Sequence, residues 1–166
     1  MLAMLADGLG HGPTAADCAA RAIEAFLRTR ETSPGKIIPD IHAALRGTRG
    51  AAVSVARLDP ATRHIRFCGV GNVLGVVCSL GGSKNFVAMP GIVGHNMAAV
   101  REFTYDWPAS SVVLVYSDGI GSHWSLDEYE GLAYQDPSLI SAVIYRDRKR
   151  GRDDASVLAI RERSSA

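Results

Sequence analysis

Met4-Leu5-Ala6-Asp7-Gly8-Leu9-Gly10-His11-Gly12-Pro13 joins an apolar run to a stretch of helical periodicity, and the reading of the whole chain turns on it. The apolar run predicts a short strand ending at Ala6, so the Asp7 carboxylate projects from a strand end into a glycine-lined turn, a position that suits a metal ligand. From Pro13 to Arg30 the residues Ala16, Ala19, Ala20, Ile23, Phe26 and Leu27 recur at helical spacing, and Pro13 fits a first helical turn. That pattern predicts a helix with one face on a sheet. A turn at Thr32-Ser33-Pro34-Gly35 leads to a second predicted helix from about Lys36 to Arg46.

Short β-like runs follow: Ala51 to Leu58, His64 to Gly69, Val73 to Leu80, Asn85 to Met89, Arg101 to Asp106 and Val112 to Ser117. The connections Asp59-Pro60-Ala61-Thr62 and Gly81-Gly82-Ser83 are of hairpin length and favour antiparallel pairing. Helix returns from Pro137 to Arg148 on an apolar side of Leu139, Ile140, Val143 and Ile144, and a last strand runs from Ala155 to Ile160. Helices grouped around a strand-rich middle predict an α+β sandwich rather than a doubly wound parallel sheet.

At 166 residues, 47% hydrophobic and 21% charged, the chain reads as one domain, 1–166, with ample material for a core, and composition excludes disorder as its main state. A net charge of +1 supplies no field for holding a polyanion, which argues against dedicated nucleic-acid binding. The longest apolar runs, such as Ser111 to Tyr116, are strand-length and short of the roughly 20 residues that span a bilayer. The N-terminal run lacks a basic leader and meets an acid at Asp7, so no signal peptide is read and a cytoplasmic location is expected. Cys18, Cys68 and Cys78 have neither CxxC spacing nor an even count, and read as buried or free thiols.

Two further acidic sites echo the first. Asp118-Gly119 follows the run Val112 to Ser117, and Asp153-Asp154 stands before the final strand. An isolated Asp-Gly is an ordinary turn signal; three acidic strand ends in this order are a more specific pattern, and they predict convergence on a shared cation. Carboxylate oxygens with backbone carbonyls are hard ligands, suited to Mg²⁺ or Mn²⁺ rather than Zn²⁺.

These motifs, with Thr48-Arg49-Gly50-Ala51-Ala52, Gly69-Val70-Gly71-Asn72, Pro90-Gly91-Ile92-Val93-Gly94 and Gly151-Arg152-Asp153-Asp154-Ala155-Ser156-Val157, resemble the metal-dependent protein serine/threonine phosphatases (PPM-type) in their bacterial SpoIIE-like branch. The resemblance runs from Ala6 to Ile160 and implies an α-β-β-α sandwich of two antiparallel sheets flanked by helices, with a two-metal site at one edge. It implies that Asp7 bridges two Mn²⁺ or Mg²⁺ ions, that Gly8 gives its backbone carbonyl to one of them, and that Asp118 and Asp153 are ligands of the other. Asp154 falls where the family also carries Asn and is read as a turn or supporting residue. The implied reaction is hydrolysis of phosphoserine or phosphothreonine by water activated between the metals. The implied partner is a phosphorylated regulatory protein such as an anti-sigma-factor antagonist in stress or sporulation signalling.

One departure accompanies the resemblance. Members of the family carry another strand and a further acidic ligand before the first Asp-Gly, whereas here only Met1 to Ala6 precede Asp7 and none is acidic. One sheet is therefore expected to be incomplete at the N-terminus, with an unpaired edge and a partial second metal site. The alternative function is a catalytically impaired, phosphatase-fold binding module in a signalling complex. A nucleotide pocket of histidine-kinase type built on Asp7-Gly8-Leu9-Gly10 ranks below both, because it gives Asp118 and Asp153 no role. His11 is as natural at a helix start as in catalysis. His42, His64, His95 and His123 read as surface or packing residues. The basic run Arg146, Arg148, Lys149, Arg150 and Arg152 reads as a solvated helix end, with attraction of a phosphorylated partner as its alternative. Trp107 and Trp124 fit either core or partner surface.

Overall fold

The computed structural model describes residues 1–97, 99–151 and 153–162. Its elements are β1 (Leu2–Gly8), α1 (Pro13–Arg28), α2 (Pro34–Ala44), β2 (Ala51–Asp59), β3 (His64–Val70), β4 (Val73–Ser79), β5 (Gly82–Asn85), β6 (Ala88–Met89), β7 (Phe103–Asp106), β8 (Val112–Ser117), α3 (Pro137–Arg148) and β9 (Val157–Arg161). Two single turns of 3-10 helix, Leu126–Glu128 and Leu132–Tyr134, precede α3.

The strands form two sheets. One runs β1-β2-β3-β6, with β7 also on β3; the other runs β5-β4-β8-β9. All pairings are antiparallel except the two-residue parallel contact of β6 with β3. Each strand of the β8 type has two apolar faces, as a buried central strand must. Val113 and Val115 enter the layer between the sheets with Leu58, Ile65 and Phe67, while Val112, Leu114 and Tyr116 face Ile140 and Ile144 of α3. On the opposite side Ile37, Ile38 and Ile41 of α2 pack with Val53, Val55 and Val70. The layers are therefore helix, sheet, sheet, helix, as expected. Each fully buried Val, Leu or Ile in them contributes about 1.5–3 kcal/mol relative to exposure.

Several boundaries and faces differ from the sequence reading. The first strand continues through Asp7 to Gly8, paired with Ala52 and Ala51. The run Asn85 to Met89 is two strands in different sheets, because Phe86 turns into the inter-sheet layer, with its ring 4.9 Å from Phe67 and 4.5 Å from Tyr105, and the chain changes sheets there. In α1 the inward face is Ala15, Cys18 and Ala22, whereas Ile23 and Leu27 are exposed. Small residues are needed on that face because α1 lies directly against β1. Trp107 is core, 3% exposed and stacked under the Arg63 guanidinium, while Trp124 is half-buried against Tyr116. All three cysteines are free and buried.

Strand β1 pairs only with β2 among the described residues, so it is an edge of its sheet. No helix among the described residues is long and apolar enough to cross a membrane.

Candidate metal centre

The site lies at one rim of the sandwich, where the end of β1 in one sheet meets the end of β8 in the other. Both ends carry Asp-Gly, and both glycines are there for close approach. A Cβ on Gly8 would stand 2.0 Å from the Ala15 carbonyl oxygen of α1, and one on Gly119 would stand 2.1 Å from the Asp154 carbonyl oxygen. Neither glycine has positive φ among the backbone angles, so the turn-forming property that usually explains Asp-Gly is not the reason here.

The third acid reaches the rim through a backbone seam. After α3, Gly121 N–H donates to the Arg148 carbonyl (2.8 Å), Arg150 N–H to the Gly119 carbonyl (2.7 Å) and Asp153 N–H to the Arg150 carbonyl (3.2 Å). Ser117, itself 2% exposed, completes it: its N–H donates to the Ser156 carbonyl (3.1 Å) and its hydroxyl oxygen accepts from Ser156 N–H (3.0 Å). The loop before β9 is thereby fixed alongside Asp118.

As a result Asp7, Asp118, Asp153 and Asp154 line one concavity of about 390 Å³, together with Gly8, Leu9, Gly10, His11, Ala52 and Asn72. The structure thus brings together the three aspartates and Gly8 singled out in the sequence. It adds Asn72, whose side-chain amide donates to Asp118 Oδ2 at 3.2 Å. Asn72 sits in the Gly71-Asn72 link where the chain passes from β3 in one sheet to β4 in the other. The sequence offered only Gly-Asn between two strands, a turn signal with nothing to mark the crossing. Asp154, read as a turn or supporting residue, also lines the concavity and contributes charge to it.

Burial pushes the Asp7 carboxyl up to about 6, with further upward pressure from Asp118, Asp153 and Asp154 in that order. Among the described residues, no Lys or Arg lines the concavity. Among the described residues the wall therefore carries anionic charge without a Lys or Arg counter-charge, and apart from the His11 imidazole on its rim its donors are oxygens, which fits a hard divalent cation such as Mg²⁺ or Mn²⁺ better than Zn²⁺. The fit is a shared wall rather than a closed cage: among the described residues no three His, Cys, Asp or Glu side chains are gathered as a ready-made ligand cluster.

Other singled-out residues fall as follows. His11 is exposed on the rim. His95 is exposed away from the concavity lining, and His42 accepts the Gly94 N–H at Nδ1, a structural contact. The basic run is largely spent locally: Arg146 pairs with Asp147 (2.6 Å), Arg148 with Glu128 (2.6 Å) and Tyr129, and Lys149 with the Tyr145 hydroxyl. Arg152 lies outside the described residues.

Comparison with known proteins bears on the family and the fold. The sequence model of the family described as Stage II sporulation protein E (SpoIIE) matches residues 1–163. The phosphoserine phosphatase RsbX of Bacillus subtilis (strain 168) is 25% identical over 122 residues, 72% of this chain and 61% of RsbX. The chain thus matches about three fifths of the length of that relative. A solved structure from work on the bacterial stressosome, a modular system adapted to control secondary messenger signaling, superposes with a TM-score of 0.84 at 29% identity, covering 96% of this chain and 84% of that one. A crystal structure of RsbX in complex with magnesium superposes with a TM-score of 0.78 at 21% identity, covering 95% and 79%.

Proposed function

This chain belongs to the Stage II sporulation protein E (SpoIIE) family, the SpoIIE-like branch of PPM-type phosphatases, and from that premise we propose that residues 1–166 act as one domain that hydrolyses phosphoserine or phosphothreonine on a regulatory protein in a Mn²⁺- or Mg²⁺-dependent reaction. The observation that carries the proposal is the meeting of Asp7, Asp118 and Asp153, drawn from distant parts of the chain, on one wall that has no Lys or Arg among the described residues.

In this reading Asp7 and the Gly8 backbone, Asp118 and Asp153 hold the divalent ions. When bound, such ions lower the pKa of water and offset charge on the phosphoryl oxygens. The chain's own part is positional. Asn72 orients the Asp118 carboxylate, the seam from Arg148 to Ser156 holds Asp153 beside it, and the Gly8–Ala15 approach fixes Asp7 at the end of β1. The phosphorylated side chain enters over Gly10 and His11, the open lip of the concavity. Magnesium in the RsbX structure supports the choice of metal, and the stressosome likeness supports a stress-signalling phosphoprotein, such as an anti-sigma-factor antagonist, as partner in the cytoplasm.

One observation favours the second reading, a phosphatase-fold binding module with impaired chemistry: the aspartates share a wall without forming a three-ligand cage. The experiment is orthophosphate release from phosphoserine peptides by this chain with Mn²⁺, with Mg²⁺ and with chelator. Metal-dependent release supports the enzyme. Release indifferent to chelator removes the proposed mechanism, and tight binding of a phosphorylated partner without release assigns the module.

A further inference from the structure

Beside the aspartate wall, across Gly10, lies a second depression of about 610 Å³, lined by Pro13, Thr14, Asp17, Cys18, Arg21, Gly47, Thr48 and Arg49. Its charges do not cancel. Arg21 is engaged by Asp17 at 2.9 Å, whereas Arg49 has neither an ion pair nor a side-chain hydrogen bond among the described residues. Arg49 lines this depression and not the aspartate wall, and its surroundings show how it is placed.

The Arg49 backbone is pinned on both sides. Thr48 donates through Oγ1 to the Leu45 carbonyl (2.6 Å) and accepts there from Gly50 N–H (3.0 Å), and the Gly50 carbonyl accepts from Leu9 N–H (3.0 Å). The last bond ties the Arg49 loop to the Gly8–Gly12 segment that forms the lip of the metal wall. The Arg49 side chain then lies against that lip: a Cβ on Gly10 would be 3.2 Å from the Arg49 Nη1. Gly10, at φ +94°, therefore forms a low ridge with carboxylates on one side and an uncommitted guanidinium on the other.

We infer that Arg49 is a specificity-determining residue that receives an acidic side chain flanking the phosphorylated residue of the substrate. The inference rests on the phosphatase reading above and deepens it by naming a substrate class, phosphoserine segments with a neighbouring Asp or Glu. The guanidinium lines the depression beyond the ridge and not the aspartate wall, so it meets the flanking residue and not the phosphoryl group undergoing hydrolysis. Side chains of an extended peptide are spaced to straddle such a ridge, one on each side. The planar fork of Arg suits a carboxylate, with two parallel N–H donors for its two oxygens.

The test uses Mn²⁺-loaded protein and three phosphoserine peptides alike except for Glu, Ala or Lys beside the phosphoserine, with p-nitrophenyl phosphate as a substrate without flanks. In the wild type KM for the Glu peptide is expected to be roughly 5- to 10-fold below that for the Lys peptide, the range of one charge-assisted contact. Arg49→Ala brings that ratio close to one by raising KM for the Glu peptide rather than lowering kcat, Arg49→Glu inverts it, and Arg49→Lys restores part of it. Thermal unfolding of each variant separates these effects from misfolding, and the charge-retaining Lys variant keeps the comparison decisive if the Ala variant is unstable. A ratio near one in the wild type, or one that survives Arg49→Ala, overturns the inference while leaving the phosphatase reading intact. So does an equal rise in KM for all substrates including p-nitrophenyl phosphate, which would make Arg49 a phosphate contact. Failure of the phosphatase reading shows differently, as no metal-dependent release from any substrate by the wild type, and it overturns the inference as well.

Discussion

Gly119 and Asp154 meet backbone to backbone, so closely that a Cβ on Gly119 would lie 2.1 Å from the Asp154 carbonyl oxygen. The contact joins the end of β8 to the loop before β9, and it holds Asp118 and Asp153 on one wall. Gly119→Ala must push the two segments apart, since neither side of the contact is a flexible side chain. The expected cost is about 1–3 kcal/mol of stability, with a weaker Mn²⁺ response in the same protein. Chemical denaturation and a Mn²⁺ titration check it; an alanine variant with wild-type stability and metal response would show that the seam does not position the acids.

Asp118→Asn keeps the size of the side chain and removes its charge. Metal affinity and metal-activated turnover are expected to fall together while the fold persists, because relief of like-charge repulsion offsets any lost contact in the metal-free protein. Asn72→Ala removes the donor at 3.2 Å from Asp118 Oδ2, and a loss of about 10- to 100-fold in metal affinity or activity is expected, as for other partners that orient a ligand. Calorimetric Mn²⁺ titrations with matched phosphatase assays test both. Full metal-dependent rate in Asp118→Asn would remove Asp118 from the ligand set.

The raised Asp7 carboxyl links protonation to stability. Its value moves from an ordinary 3.8 to about 6 in the folded chain, so between those values the native state binds more protons than the unfolded state. Stability of the metal-free protein should accordingly fall as pH rises through this window and level off above it. Asp7→Asn abolishes that slope, so the variant is more stable than the wild type above about pH 6, and a saturating divalent cation narrows the difference by stabilising the charged carboxylate. Thermal unfolding of both proteins from pH 4 to 8, with and without Mg²⁺, decides it. A wild type whose stability rises across the same window would contradict the proposed environment of Asp7.

Ser54 is 1% exposed in central strand β2, and its hydroxyl has no hydrogen-bond partner among the described residues. A buried unpaired hydroxyl costs about 1–3 kcal/mol. Ser54→Ala removes it with little change in volume, so a rise in the unfolding midpoint is expected with no change in metal response. An unchanged or lower midpoint would mean that the hydroxyl is satisfied in solution.

Periodicity and turn chemistry determined most of the individual elements, while the pairing of two sheets between helices was implied by the family resemblance. Val112 to Ser117 alternates between two apolar faces, Pro137 to Arg148 has a helical apolar stripe that includes Ile140 and Ile144, and Asp59-Pro60-Ala61-Thr62 closes a hairpin; each stands where local pattern put it. The acids Asp7, Asp118 and Asp153 were legible for the same reason, since an acid after an apolar strand is a local signal. Local pattern failed wherever a residue's role depends on a distant part of the chain. Ile23 and Leu27 looked inward by spacing, yet the approach of α1 to Gly8 admits only the small face of Ala15, Cys18 and Ala22. Phe86 interrupts a run that looks continuous because the core between the sheets claims its ring. Asn72 acquires its partner 46 positions away only when β3 and β4 separate into different sheets, and Arg49 becomes distinctive only once the fold sets it in one depression with the paired Asp17 and Arg21. Sequence fixes what each short segment prefers to be, through propensity and the spacing of apolar groups. Which segments touch, and which charges are left without partners, is decided by how the two sheets and their helices close on one another.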